Sequence, residues 1–296
     1  MPQGAHVFQG SIMKAGFIGL GRLGRTMAGR LIGEGVDLEV WNRTSEKAGG
    51  LGVPLARSPR DLMAKENIVF LSLFDSDAVE AVLYGDEGIF KADCRDKVIV
   101  DLTTNHFDRV PKFHEDAAEH GACYLEAPVL GSVGPASKGA LTILVSGDRE
   151  AFARARPYLE KLGKNIFYLE KVSVATKMKL INNLVLGTLM ATCAEAVTFG
   201  ERVGIDRETA IDILLSGAGN NPVFAGKKEK LVKEDFTPHF SSALIYKDLH
   251  YLQDLARTMK KPLFTGSVVK ELYAMTYADG IEGEDFSAVI KVLEKY

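Results

Sequence analysis

A lysine and two asparagines fall close together in the segment ATKMKLINNLVLG, residues 175–187. At about 100° per residue, a helix here puts Lys179, Asn182, Asn183 and Leu186 on one face. Lys177, about 200° round from Lys179, points away. An ammonium group four residues before a carboxamide suits carbonyl reduction. The lysine can give a proton to the oxygen as hydride reaches the carbon. The amide can orient a substrate hydroxyl or the lysine itself. Burial and nearby positive charge would draw the lysine pKa down towards working pH. By themselves, Lys and Asn on a helix are more often a solvated face, so the meaning depends on what precedes them.

What precedes them is Gly19-Leu20-Gly21-Arg22-Leu23-Gly24, which ends one strand pattern and opens a helical one. That context is the one a dinucleotide-binding turn requires. Gly19 allows the tight turn, Gly21 lets backbone approach a pyrophosphate, and Gly24 lets the helix pack on the strand. The helix N-terminus then offers free amides and the positive end of its dipole. Binders of NAD place Asp or Glu about twenty residues further on, against the ribose 2′-hydroxyl. Here the residue at the end of the second strand is Asn42, followed by Arg43 and Thr44. Asn42 does not repel a 2′-phosphate, and Arg43 supplies a planar cationic fork for it. The expected cofactor is NADP.

The elements that must position these groups alternate in the first half. Strand patterns at 15–21, 38–43, 67–73, 97–102, 123–129 and 140–147 are separated by helical ones, beginning with 22–35. This alternation predicts βαβ units and a mainly parallel sheet. The strand patterns stop near Phe167, and from Val174 onwards the chain reads as helix. A helix over 174–203 would be about 45 Å long, enough to enter a second core. The expected class is α/β: an N-terminal doubly wound Rossmann domain (13–173) followed by an all-α C-terminal domain (174–296) for substrate and oligomerisation. Residues 1–12 read as an N-terminal extension, without the basic start and apolar centre of a signal peptide.

Composition narrows the partners. The 296 residues carry a net charge of −3, with 46% hydrophobic and 25% charged residues. That balance gives no electrostatic footprint for nucleic acid or an anionic membrane. The apolar run 180–199 contains Asn182, Asn183 and Glu195, and reads as a buried helix rather than a membrane span. Three scattered cysteines argue against a disulfide framework and fit a reducing cytoplasm. The six histidines show no metal-ligand spacing, so no metal is expected. Cys193 reads as a small core residue, and Trp41 as packing beneath the cofactor strand. Asp75 and Asp77, like Asp93 and Asp96, read as solvated loop charges. The length and apolar character of the 174–203 helix suggest burial against another subunit, in a homodimer or homotetramer.

The motifs GFIGLGRLG, WNRT, DLTT (101–104), EAPVLGS (126–132) and KMKLINN (177–183) occur in the order seen in the β-hydroxyacid dehydrogenase family. The chain resembles that family over residues 13–296. It looks closest to the glyoxylate/succinic semialdehyde reductase branch, which NPVFAGK (221–227), FSSALIYKD (240–248) and DFSAVI (285–290) also resemble. The resemblance implies roles position by position. Lys179 would be the general acid/base and Asn183 its helical partner. Thr104 would lie beside nicotinamide and substrate, and Leu73 and Phe74 would line the cofactor. Gly131 and Ser132 would form the substrate-carboxylate loop, Lys247 would contact the cofactor, and Phe240 and Asp248 would shape the aldehyde pocket. The implied reaction is reversible hydride transfer between NADPH and a small aldehyde- or keto-acid.

Four positions depart from the family pattern. Leu130 stands where the substrate loop has a serine, and Glu126 where most members have Asp. Glu170 and Ser173 replace glycines that usually precede the catalytic helix. Two rival readings share the architecture. An imine reductase would share the Asn-Arg-Thr turn but usually lacks the lysine on the central helix. A non-catalytic cofactor-binding scaffold would have lost that lysine. Lys179 argues against both.

Overall fold

The computed structural model describes residues 13–296, so the extension expected over residues 1–12 lies outside the described residues. In chain order the elements are β1 (Lys14–Ile18), α1 (Arg22–Gly33), β2 (Asp37–Trp41), α2 (Pro59–Lys65), β3 (Ile68–Leu71), α3 (Ser76–Tyr84) and β4 (Val98–Asp101). Next come α4 (Val110–Glu119), β5 (Cys123–Glu126), β6 (Val129–Leu130), α5 (Val133–Ser137), β7 (Leu141–Gly147), α6 (Arg149–Leu162) and β8 (Gly163–Tyr168). The rest is helical: α7 (Val174–Arg202), α8 (Arg207–Ser216), α9 (Pro222–Ala225), α10 (Lys228–Lys233), α11 (Ser242–Thr258), α12 (Phe264–Ala278) and α13 (Val289–Leu293).

The sheet order is β2-β1-β3-β4-β5-β7-β6, with β8 beside β7. The ladders from β2 to β5 are parallel, and β7 turns antiparallel to β5 and β6. A single parallel bridge, Val40 to Leu55, extends the edge beyond β2. With it counted, the order is that of a doubly wound dinucleotide fold, whose ligands lie at the carboxyl ends of the strands where the order reverses. That point falls between β1 and β3. β3 and β4 are four-residue runs buried throughout (IVFL, VIVD), as strands covered on both faces must be. One apolar cluster covers each face, built around Phe17, Phe70 and Val100 on one side and Val69, Ile99 and Tyr124 on the other.

β8 is a strand that the apolar pattern did not set apart. Only Gly163 in it is fully buried, because it lies at the sheet edge and its side chains are largely wet. Asp75, read as a solvated charge, instead caps α3: its Oδ1 accepts from Ala78 N at 2.9 Å.

α7 joins the two halves. Its amino end is held by the sheet, since the buried Glu126 carboxylate at the end of β5 accepts from Ser173 N and Thr176 N. Glu170 and Ser173, at φ 59° and 68°, occupy left-handed backbone just ahead of the helix. This explains why glycine suits those two positions. Farther on, α7 packs against α8, α11, α12 and α13. A small cluster of Phe107, Leu180, Leu252 and Leu255 seals the junction between sheet and helices.

Candidate active site

The phosphate turn is built by close packing. Gly19 has φ 98°, and its N donates to Trp41 O at 3.0 Å. A Cβ at Gly19 would collide with the Ser72 carbonyl, and one at Gly24 with the Gly19 carbonyl. A Cβ at Gly21 would meet nothing within 4 Å. Two of the glycines are therefore demanded by the fold, while Gly21 borders open space. A dinucleotide pyrophosphate fits that opening at the start of α1.

Asn42 is engaged on both sides of its amide. Its Oδ1 accepts from Leu20 N at 2.8 Å, and its Nδ2 donates to Thr44 O at 2.8 Å. It thus fastens the end of β2 to the glycine turn. Arg43 and Thr44 are exposed next to it. Leu23 packs against the core beneath the turn. Arg22 donates instead to Pro238 O, on the helical side of the molecule. Leu73 and Phe74 follow β3: Leu73 N donates to Thr103 Oγ1 at 3.0 Å, and the Phe74 ring is 52% exposed.

A buried carboxylate organises the neighbouring loop after β4. Asp101 accepts from Thr103 N at 2.9 Å, from Asn105 Nδ2 at 2.6 Å and from the Tyr124 hydroxyl. This fixes Thr104, whose carbonyl accepts from Lys247 Nζ at 2.8 Å. The bond ties the loop after β4 to α11. Asp101 was not singled out from the sequence as a site residue. The DLTT motif named its position, but a buried acid bonded to its own loop has no separate sequence signal.

Lys179 and Asn183 are both buried on one face of α7. Asn183 Nδ2 donates to Asp248 Oδ2 at 2.5 Å, and Asn182 Nδ2 donates to Asn183 Oδ1 at 3.1 Å. Asp248 Oδ1 has the Lys247 ammonium at 2.9 Å as its charge partner, though without an aligned hydrogen bond. Burial pulls the Lys179 pKa down to about 8; Asp248 pulls it back up and Lys247 pushes it further down. Lys177 lies elsewhere, with its Nζ 5.9 Å above the Phe107 ring. Four of the expected residues (Lys179, Asn183, Lys247, Asp248) therefore form one cluster, with the Thr104 carbonyl at its edge.

The expected substrate loop is tied to the segment that leads into α11. Gly131 has φ 121°, and a Cβ there would press on Leu141. The Ser132 hydroxyl donates to His239 O at 3.0 Å. Phe240, the next residue, sets its ring edge-on to Phe286, with centroids 5.7 Å apart. Leu130 is half-buried on β6 and contributes no hydroxyl.

A glycine turn at the switch point and a buried lysine, amide and carboxylate cluster suit a dinucleotide-dependent oxidoreductase. Residues 14–170 match the model of the NAD binding domain of 6-phosphogluconate dehydrogenase. Residues 174–293 match that of the NAD-binding domain of NADP-dependent 3-hydroxyisobutyrate dehydrogenase. The chain is 33% identical to the Arabidopsis thaliana chloroplastic glyoxylate/succinic semialdehyde reductase 2, over 94% of this chain and 79% of that one. Among solved structures, a Salmonella typhimurium 3-hydroxyisobutyrate dehydrogenase shares the fold. Its TM-score is 0.88 at 24% identity, over 95% of this chain and 99% of that one. Psf3, solved in complex with NADP+ and 2-OPP, has a TM-score of 0.87 at 26% identity, over 94% of this chain and 99% of that one. This chain belongs to the β-hydroxyacid dehydrogenase family.

Proposed function

We propose that this oxidoreductase is an NADP-dependent reductase of short aldehyde- or keto-acids, working reversibly on the matching hydroxy acids. The observation that carries the reading is the burial of Lys179 on one face of α7 with Asn183, which is bonded to Asp248; that burial draws the lysine pKa down. Bound NADPH would supply the hydride. Lys179 protonates the carbonyl oxygen, and Asn183, braced by Asp248, orients the reacting group. Thr104, Leu73, Phe74 and Lys247 line the cofactor side. Gly131 and Ser132 face the substrate carboxylate, and Phe240 and Asp248 bound its pocket.

Three features support NADP over NAD: Asn42 is neutral, Arg43 is exposed next to it, and the related Psf3 was solved with NADP+. The name of the Arabidopsis relative supports glyoxylate and succinic semialdehyde as first substrates. The reading includes a homodimer or homotetramer in the cytoplasm. Much of the apolar surface of α7 is left uncovered within one chain. Met178, Ile181, Val185 and Phe199 stay exposed on α7, as do Phe264 and Val268 on α12, a surface that a second copy would cover.

The test is consumption of NADPH, with NADH in parallel, across a panel of glyoxylate, succinic semialdehyde, tartronate semialdehyde and cyclic imines. Reduction of an aldehyde acid with NADPH preferred supports the reading. Reduction of imines alone, or NADPH binding without turnover, overturns it.

A further inference from the structure

We infer that Asp285 is a positioning residue, which sets a strap of residues 236–240 across the cleft. The catalytic part of this inference rests on the proposed reductase function; the strap itself is a matter of hydrogen bonds.

Asp285 is 0% exposed, yet it carries a carboxylate. The Lys227 ammonium lies 2.7 Å from Oδ1 and donates to Oδ2 at 2.8 Å. His239 N donates to Oδ2 at 2.9 Å and Phe240 N at 3.5 Å, while the Ser287 hydroxyl donates to Oδ1 at 2.8 Å. Burial alone would raise its pKa, but Lys227 and the donated N–H groups win and hold it below the ordinary carboxylate value. The strap is zipped at both ends, because Asp285 N donates to Phe236 O at 2.8 Å and Phe286 N to Phe240 O at 2.9 Å. Lys230 takes the Thr237 carbonyl at 2.6 Å.

Two strap carbonyls remain, those of Pro238 and His239, and both reach the opposite half of the molecule. Arg22, at the start of α1, donates to Pro238 O, and the Ser132 hydroxyl donates to His239 O. One buried carboxylate therefore governs a segment that grips both the phosphate turn and the substrate loop, and that carries Phe240. A hydroxyl has a single proton to give. While Ser132 gives it to His239, backbone N–H groups must hold a substrate carboxylate at this loop.

Removing Asp285 alone would strand the buried Lys227 charge and endanger folding. The test therefore uses the neutral pair Lys227→Met/Asp285→Asn, with Arg22→Met/Ser132→Ala as a second variant cut from the opposite side. Amide exchange over residues 236–240 is measured beside the steady-state kinetics. In each variant, strap exchange should rise at least about tenfold, the scale of one lost charge-assisted bond. The KM for the aldehyde acid should rise by a similar factor. In the Lys227/Asp285 variant, NADPH affinity should hold within a few-fold. Folded variants with unchanged exchange and unchanged KM overturn the inference; if the first fails to fold, Ser287→Ala, which removes a donor to the Asp285 carboxylate and leaves Lys227 paired, is measured in its place. Faster exchange with unchanged KM also overturns it, by leaving Asp285 a merely structural role. A parent protein that reduces no aldehyde acid sinks the proposed function, and exchange then decides whether the strap exists.

Discussion

Asn183 Nδ2 donates to Asp248 Oδ2 at 2.5 Å, a bond that spans 65 residues of chain and joins α7 to α11 one turn beyond Lys179. It leaves Asp248 Oδ1 facing the Lys247 ammonium at 2.9 Å. One buried carboxylate thus serves an amide and a lysine, and its charge also reaches Lys179. Lys179 has no such direct partner among the described residues, which suits the proton donor proposed for it.

Lys179→Met should lower turnover by about 10²–10⁴-fold, the usual contribution of a positioned general acid. NADPH binding, followed by fluorescence, should survive, because the glycine turn is untouched. Lys177→Met should stay within a few-fold of the parent, since that ammonium lies over the Phe107 ring. Near-normal turnover in the Lys179 variant would remove the central assignment.

The proposed preference for NADPH rests on an exposed cation, Arg43. A hydrogen bond to a charged group is worth about 1.5–3 kcal/mol, or roughly 10- to 150-fold in affinity. Solvent around Arg43 puts the expected effect at the lower end of that range. Arg43→Ala should therefore raise the KM for NADPH by about tenfold and leave that for NADH nearly unchanged. Equal effects on the two cofactors would refute a role for Arg43 at the 2′-phosphate.

The parts of this site that could be read from sequence are those with short-range signals. The glycine turn is one: steric demands at Gly19 and Gly24 come from neighbours that the strand-turn-helix context already implies. The shared face of Lys179 and Asn183 is another, because helical periodicity alone sets it. Partners contributed by distant segments were not legible as contacts. The Asp248 carboxylate against Asn183 and the Thr104 carbonyl against Lys247 come from separate elements. Backbone carbonyls such as those of Pro238 and His239 leave no mark in side-chain patterns. Beyond β2 the edge is extended by the Val40–Leu55 bridge, too short to show any periodicity.

Leu130 separates the proposed substrate loop from the serine-bearing pattern it resembles. With no hydroxyl at 130 and the Ser132 hydroxyl given to His239, few side-chain donors remain at the loop. Leu130→Ser should change the ranking among small aldehyde acids and leave NADPH affinity unaltered. Initial rates over the substrate panel test this. An unchanged ranking would mean that position 130 does not face the substrate.

The last prediction uses the opposed charges around Lys179. As proton donor in the reductive direction, Lys179 must be protonated, so kcat should fall as pH rises through about 8. In the oxidative direction the neutral amine is the base, and the rate should rise over the same interval. Asp248 raises the Lys179 pKa and Lys247 lowers it. Asp248→Asn removes the raising charge, so the reductive limb should move to lower pH. Lys247→Met removes the lowering charge, so the limb should move to higher pH. Both variants also lose contacts and turn over more slowly, but slowing alone cannot move the two limbs in opposite directions. Measured pH profiles of kcat decide the matter: limbs that stay put, or move together, would assign the ionisation to a group other than Lys179.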